Sequence, residues 1–365
     1  MKLPNKKNIL LLGGGYEQLP AILESKKFDF KVFCVDKNNN CIGRKFSDKF
    51  YNISIKDKKK LNQIIKKNNI SGVSSVCSEV AVPIVSYLSK KFNFPSISLL
   101  QSKILTDKHL MKNFFKKNNI MSPKFEIFKN IRLAKKFIDQ VNFPIIIKPS
   151  DSFGQRGIFK INNYHHFKKK IIEARKNSHS KSVILEKFIE GPEINVVAII
   201  HNKKLIFLSF SDRVVYKQNG FGIAYEHLYP SKIEKKNILI IKSIVNKIVK
   251  VLNLNNVVIY PQFLINKKKK PFLIEIAGRV PGGFMREVSM LASGIDPIKF
   301  QILTAMKETE ILKRAKTDVK RKSIYVKFFT SKEINQISKI KKNNINQATN
   351  IKGIYKIYFN NIKKI

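Results

Sequence analysis

The sequence predicts two folded regions of different class, an α/β region with a parallel sheet over residues 1–100 and a mixed α+β region of about 200 residues after it. Three observations carry this. In the first hundred residues, short apolar runs alternate with stretches of helical periodicity, and strands separated by helices imply right-handed βαβ units. After "FNFPSIS" the pattern changes, and from residue 143 apolar strands follow one another closely. With 365 residues the chain is long enough to bury a large core and to split into two or three units.

The elements follow in order. Strands are expected at 8–12, 31–35 and 72–76, with helices at 17–26, 57–68 and 80–91. "LTDKHLMKNFFKKNNI" reads as a capped helix, with Thr106 or Asp107 as N-cap, and "MSPKFEIF" as a strand entered through proline. Further strands are expected at 144–148, 157–161, 182–187, 193–200 and 205–211, then a helix at 236–252 and a hairpin over 257–276. Beyond Met306 the chain is lysine-rich, with a strand in "SIYVKFF" and a weaker one in "GIYKIYF". There are no internal repeats.

The first turn, "NILLLGGGYEQLPAIL", looks like the phosphate-binding loop of a dinucleotide fold, and "KVFCVD" ends in Asp36, where a ribose-binding acid would stand. The spacing Gly13-x-Gly15-x-x-Gln18 puts glutamine in place of the third glycine. From this stretch alone, dinucleotide binding and a turn that only resembles it both remain open.

The formal charge is +46, from 71 Lys and Arg against 25 Asp and Glu. Clustered cations would suggest nucleic acid or an anionic membrane. Here they are scattered with Asn and Ile through every segment, as solvated faces of amphipathic helices, and no basic patch is interleaved with aromatics. Neither specific nucleic-acid nor membrane binding is expected, and the charge favours anionic substrates by long-range attraction. The three cysteines, Cys34, Cys41 and Cys77, lack metal-ligand spacing, and Cys34 and Cys77, in or beside apolar strand-like runs, read as reduced structural thiols. With no apolar run long enough to span a bilayer and an N-terminus, "MKLPNKKN", leading straight into a strand, a cytoplasmic protein is expected.

Three segments carry chemistry. In "FPIIIKPSDSFGQRGIFKI" Lys148 ends an uninterrupted apolar strand, where an ammonium group needs an anion, and the loop after it offers backbone N–H groups to phosphates. The plainer alternative is a surface lysine before an ordinary turn. In "SVILEKFIEGPEINVVAII" Glu186 ends one strand and Glu193 opens the next, placed to accept hydrogen bonds from a base or a ribose. In "NNVVIYPQFLINKKKKPFLIEIAGRVPGG" pairing of Ile265 with Phe272 sets Gln262 opposite Glu275, an oxygen pair suited to Mg²⁺ that also takes phosphate oxygens. Arg279 reaches the same place. A solvated hairpin with incidental polar residues is the alternative.

"LTDKHLMKNFF", "FPIIIKPSDSFGQRGI", "ILEKFIEGPEINV" and "FLIEIAGRVPGG…LASGIDPI" together resemble, in order and spacing, the ATP-grasp superfamily, especially its carboxylate–amine ligases and the synthetase repeats of carbamoyl-phosphate synthase. The resemblance covers residues 8–310. It implies a Rossmann-like pre-ATP-grasp domain over 1–100 that binds no dinucleotide, and a two-lobed ATP-grasp domain over 101–310, with lobes near 101–180 and 181–310. A small basic subdomain, 311–365, would follow. Lys108 and Lys148 would contact the α- and β-phosphates of ATP, under a loop containing Ser152, Gly154 and Gly157. Glu186, Lys187 and Phe188 would meet adenine, the latter two mainly through backbone groups, and Glu193 the ribose. Glu275 would bind Mg²⁺ or Mn²⁺, with Gln262 at a position that is Glu in most of the family, and Arg279 would engage the acyl phosphate or its parent carboxylate. Ala277 stands where many members have a metal-binding Asn, which leaves one or two metal ions open.

The implied activity is an ADP-forming ligase that activates a carboxylate as an acyl phosphate and joins it to an amine. A carboxyphosphate-forming enzyme is the alternative within the class, and a basic binding protein on an ATP fold the alternative outside it. Substrate-facing positions would include Gly14, Gly15, Glu79, His227, Gly282 and Gly283, with amino acids among the substrates considered and a homodimer as in many relatives.

Overall fold

Alternating burial in the first strand sets the N-terminal layer: Ile9 and Leu11 belong to one core, Leu10 and Leu12 to another. The computed structural model describes residues 7–128, 134–151, 157–178, 180–216, 222–310, 322–329, 333, 347–348, 350–355 and 357. It opens with β1 (Asn8–Leu12), α1 (Leu19–Lys27), β2 (Lys31–Val35), α2 (Gly43–Phe46), β3 (Lys49–Tyr51), α3 (Lys58–Lys67), β4 (Ile70–Ser74) and α4 (Ala81–Phe92). The sheet is parallel, in the order β3-β2-β1-β4, as βαβ units require.

Next come α5 (Leu99–Ile104), α6 (Lys108–Lys117), β5 (Phe125–Phe128), α7 (Ala134–Val141), β6 (Ile145–Pro149), β7 (Phe159–Ile161), α8 (Phe167–Lys176) and β8 (Val183–Lys187). Their strands form an antiparallel sheet ordered β5-β8-β6-β7. The remainder comprises β9 (Glu193–His201), β10 (Lys204–Val215), β11 (Ala224–Tyr229), α9 (Lys235–Val251), β12 (Val257–Ile265), β13 (Pro271–Ala277), α10 (Met285–Ser293), α11 (Pro297–Ala305) and β14 (Ile324–Lys327). It is built on a six-stranded sheet, β13-β12-β9-β10-β11-β14. Residues 1–326 form one compact unit and 327–365 a second.

The six-stranded sheet organises the first unit. Ile194, Val196, Ala198 and Ile200 point to one face, where Ile241, Val245 and Ile248 of α9 cover them. Val197 and Ile199 point to the other, against Ile298 and Ile302 of α11 and Ile9, Leu11 and Ile22 of the N-terminal layer. One strand thus serves two cores, which is why β9 reads as a continuous apolar run.

Asp107, not Thr106, caps α6, accepting from the Leu110 N–H at 3.0 Å, while the Thr106 hydroxyl donates to the Ser102 carbonyl at 2.7 Å. Helices α2, α5, α7, α8, α10 and α11 and strands β3 and β11 were not expected from the sequence, mostly because they are short. Two carried readable starts: Ser98 and Gln101 form a capping box for α5, and Asp296 followed by Pro297 opens α11. The segment "GIYKIYF" lies partly outside the described residues. No helix among the described residues is long and apolar enough to cross a membrane.

Candidate active site

Two lateral rows of polar residues cross one face of the six-stranded sheet. Glu275, Gln262 and Asn195 stand opposite one another on β13, β12 and β9, and Glu193, Arg213 and His227 do so on β9, β10 and β11. Residues 193 and 195 share a face because side chains alternate along a strand. The hairpin register differs from expectation at its tip, where Ile265 pairs with Pro271, but a bulge between Gln262 and Phe263 restores the expected Gln262–Glu275 pairing.

The rows are stitched by amides. Gln262 Nε2 donates to Asn195 Oδ1 at 3.1 Å, and Asn195 Nδ2 lies 3.1 Å from His227 Nδ1. Nδ1 therefore accepts, and the imidazole carries its proton on Nε2. His227 is buried, and burial, helped by the Arg213 charge, pulls it down to about 4, so the ring is neutral at physiological pH. Arg213 itself is paired with Glu193 and the Gly222 carbonyl.

Facing this sheet are the lysines. Lys108 opens α6 and lies 3.4 Å from Glu275, whose side chain retains 31 % exposure. Lys148, at the end of β6, approaches Glu186 Oε1 at 2.6 Å, and Lys112 of α6 approaches the same oxygen at 3.0 Å. All three groups are buried. Burial alone would raise the Glu186 carboxyl, but the two ammonium groups outweigh it and hold it below its ordinary range. Burial pushes the Lys112 ammonium down to about 8 against the pull of Glu186. Glu275 is likewise held low, Lys108 being its strongest charge partner after the opposing effect of burial.

Arg279 follows β13 and pairs with Glu79, whose carboxyl burial raises despite the guanidinium. Gly282 and Gly283 lie against Glu17: an added Cβ on Gly282 would stand 2.8 Å from its Oε2, and the Gly283 N–H reaches Oε1 at 3.4 Å. The glycine turn after β1 is thereby brought beside the turn after β13. Within it Gln18 fills the role left by the missing glycine, since Oε1 accepts from the Gly15 N–H at 3.2 Å and Nε2 donates to the Val76 carbonyl at 3.1 Å. Asp36 accepts from the N–H groups of Gly14 and Asn38, both at 2.8 Å, so its two oxygens serve the loop itself.

Of the expected loop positions only Gly157 is among the described residues. Ser152 and Gly154 lie outside the described residues. Gly157 has φ +73°, and an added Cβ there would crowd Pro149 and Asn177 at 3.0 Å. The backbone N–H groups of Lys187 and Phe188, two of the backbone groups expected to meet adenine, donate to the carbonyls of Lys124 at 2.8 Å and Pro144 at 3.2 Å. The sequence reading missed Lys112, Asn195, Arg213 and Glu17. Lys112 had one signal: it stands one helical turn after Lys108, on the same face.

Two antiparallel sheets, with Lys148 of β6 and Lys108 and Lys112 of α6 on one side and the Glu275–Gln262 carboxylate–amide pair on the other, form the arrangement of an ATP-grasp fold. Residues 106–281 match the family model of the phosphoribosylglycinamide synthetase ATP-grasp (A) domain. The phosphoribosylamine–glycine ligase of Clostridium acetobutylicum is 24 % identical over 217 residues, 56 % of this chain and 50 % of the relative. The D-alanine–D-alanine ligase of Prochlorococcus marinus (strain AS9601) is 24 % identical over 300 residues, 73 % and 82 % of the two chains. Among solved structures, the phosphoribosylglycinamide synthetase of Anaerococcus prevotii superposes with a TM-score of 0.73 at 21 % identity, covering 89 % of this chain and 81 % of that one. In sequence over residues 106–281 and in fold over most of its length, the chain is similar to the ATP-grasp carboxylate–amine ligases. It spans about half the length of the first curated relatives it matches.

Proposed function

We propose that this protein is an ADP-forming ligase that phosphorylates a small carboxylate with ATP and passes the acyl group to an amine. The observation that carries the reading is the approach of Lys108 and Lys148, from separate segments, to acids on opposite walls of one cleft. Relatives named for glycine and D-alanine ligation support it, and suggest amino acids among the substrates.

The donor set fits a hard divalent cation. Glu275 offers a partly exposed carboxylate, and Gln262, its nitrogen turned to Asn195, presents its amide oxygen on the same face. Among the described residues no three His, Cys, Asp or Glu side chains could hold a metal unaided, and phosphate oxygens and water would complete the shell. Bound there, Mg²⁺ would neutralise phosphate charge.

The chain's own residues would do the rest. Lys108 and Lys148 bind the phosphates, exchanging their carboxylate partners for phosphate oxygens. Arg279, held by Glu79, orients the substrate carboxylate for in-line attack on the γ-phosphorus, a step that needs positioning and charge neutralisation more than covalent help. The amine nitrogen then attacks the acyl carbon, the carbon–oxygen bond to phosphate breaks, and inorganic phosphate leaves as the nitrogen gives up a proton to form the amide. Residues 1–100 supply one wall of the substrate site through Gly14, Gly15 and Glu79, opposite Gly282, Gly283 and His227, and lobes 101–180 and 181–310 enclose the nucleotide, with Glu186 and Glu193 near its base and ribose. Cytoplasmic residence and a homodimer complete the reading.

The test is release of ADP and phosphate from MgATP against pools of amino acids and small carboxylic acids. Release that depends on a carboxylate and an amine together supports the ligase. Release that depends on bicarbonate assigns the carboxyphosphate class instead, and no release across the pools contradicts both.

A further inference from the structure

Among the described residues, Lys112 is the one buried lysine beside the cleft that the ligase reading leaves without a task. It is 1 % exposed. Burying an ammonium group is costly, so its presence calls for a role that an apolar residue of the same size would not fill. Lys108 and Lys112 lie one turn apart on α6 and reach in different directions, Lys108 to Glu275 of the six-stranded sheet and Lys112 to Glu186 of the four-stranded sheet. The helix thus brackets the two walls.

Around Lys112 stand Glu186 on β8, Lys148 on β6 and Glu275 on β13, with the rings of Phe115 and Phe125 at 5.6 and 6.0 Å, and Lys108 lies one turn earlier on its own helix. Lys112, Lys148 and Glu186 form a triad with one surplus positive charge. If Lys148 alone balanced Glu186, that pair would be neutral and would offer a polyphosphate little attraction. With Lys112 supplying the counter-charge from the buried side, the surplus is left on Lys148.

Resting on the nucleotide-binding reading above, we infer that Lys112 is a positioning residue: it occupies Glu186 from within and so leaves Lys148 charged and available to an anionic nucleotide. Lys112 touches no substrate in this account and acts only through Glu186 and Lys148.

The test is calorimetric titration with MgADP of the wild type, Lys112→Met and Lys112→Arg, from about pH 7.5 to about pH 9.5, where the nucleotide phosphates are already ionised. Wild-type affinity is expected to fall as pH rises through the region where Lys112 gives up its proton, near 8. Lys112→Met is expected to bind about tenfold more weakly at the lower pH and to lose that pH dependence. Lys112→Arg, which keeps its charge throughout, is expected to bind as tightly as the wild type at the lower pH and to hold that affinity at the higher. A lysine that only fills space would leave the pH profile unmoved. Equal affinity and an unchanged alkaline fall in Lys112→Met would overturn the inference while leaving nucleotide binding intact. Absence of MgADP binding by the wild type would overturn the ligase reading as well.

Discussion

Replacing Glu186 by Gln removes the only carboxylate in the Lys112–Glu186–Lys148 triad at almost no change in volume. Both ammonium groups contact one oxygen, at 3.0 and 2.6 Å. They therefore stand at most about 6 Å apart, and at an effective dielectric constant of about 20 two like charges at that distance repel by about 3 kcal/mol. Breaking a buried ion pair by deleting one member costs about 3–5 kcal/mol, because a buried charge is left uncompensated. The expected loss for Glu186→Gln at pH 7 is of this size, a fall in melting temperature of roughly 5 °C for a chain of 365 residues. Thermal and urea unfolding followed by circular dichroism measure it. Two corollaries sharpen the test. Raising the pH should restore stability to the variant, since one lysine can shed its proton, and adding Lys112→Met should recover most of the loss. In the wild type, the Glu186 contribution should be intact above the ordinary value of 4.5 and disappear only as pH falls through the lower folded value. A Glu186→Gln variant within about 1 kcal/mol of wild type, with no gain at high pH, would refute the reasoning.

Further outcomes follow from other residues. His227 is held near 4 against an ordinary 6.5, so the unfolded chain takes up its proton first and stability should decline by about 3 kcal/mol as pH falls across that window; His227→Gln should flatten the decline in urea midpoints between pH 7 and 4, and an unchanged slope would count against a buried neutral ring. Gly14→Ala would set a methyl group 2.7 Å from Cys41 Sγ and 3.0 Å from Cys34 Sγ, costing about 1–3 kcal/mol in melting experiments, part of which Cys41→Ala should relieve. Lys148→Ala should abolish carboxylate-dependent ADP release in a coupled assay without unfolding the protein, and retained release would separate Lys148 from the chemistry.

Sequence alone carried the outer frame well, and the reasons are local. The apolar run of β1, the glycine turn and the strand ending in Asp36 follow from short-range patterns, and the parallel sheet follows from them. The Gln262–Glu275 pairing was legible too, although the loop register was one residue off and only the bulge corrects it. Lys112 was hidden by composition: in a chain with 71 Lys and Arg, one more lysine on an amphipathic helix reads as solvated surface. Asn195 and Arg213 gain meaning only from cross-strand neighbours far away in sequence, and Glu17 from a turn 266 residues on. That the N–H groups of Lys187 and Phe188 are paired within the chain was not legible either, because the partners come from other segments.

The most direct measurement is a crystal structure with a non-hydrolysable MgATP analogue. A triphosphate is expected between the four- and six-stranded sheets, with its oxygens in hydrogen-bond reach of the Lys108 and Lys148 ammonium groups and a metal ion on Glu275. A nucleotide seated elsewhere, or these lysines still turned to Glu275 and Glu186 with the analogue bound, would contradict it.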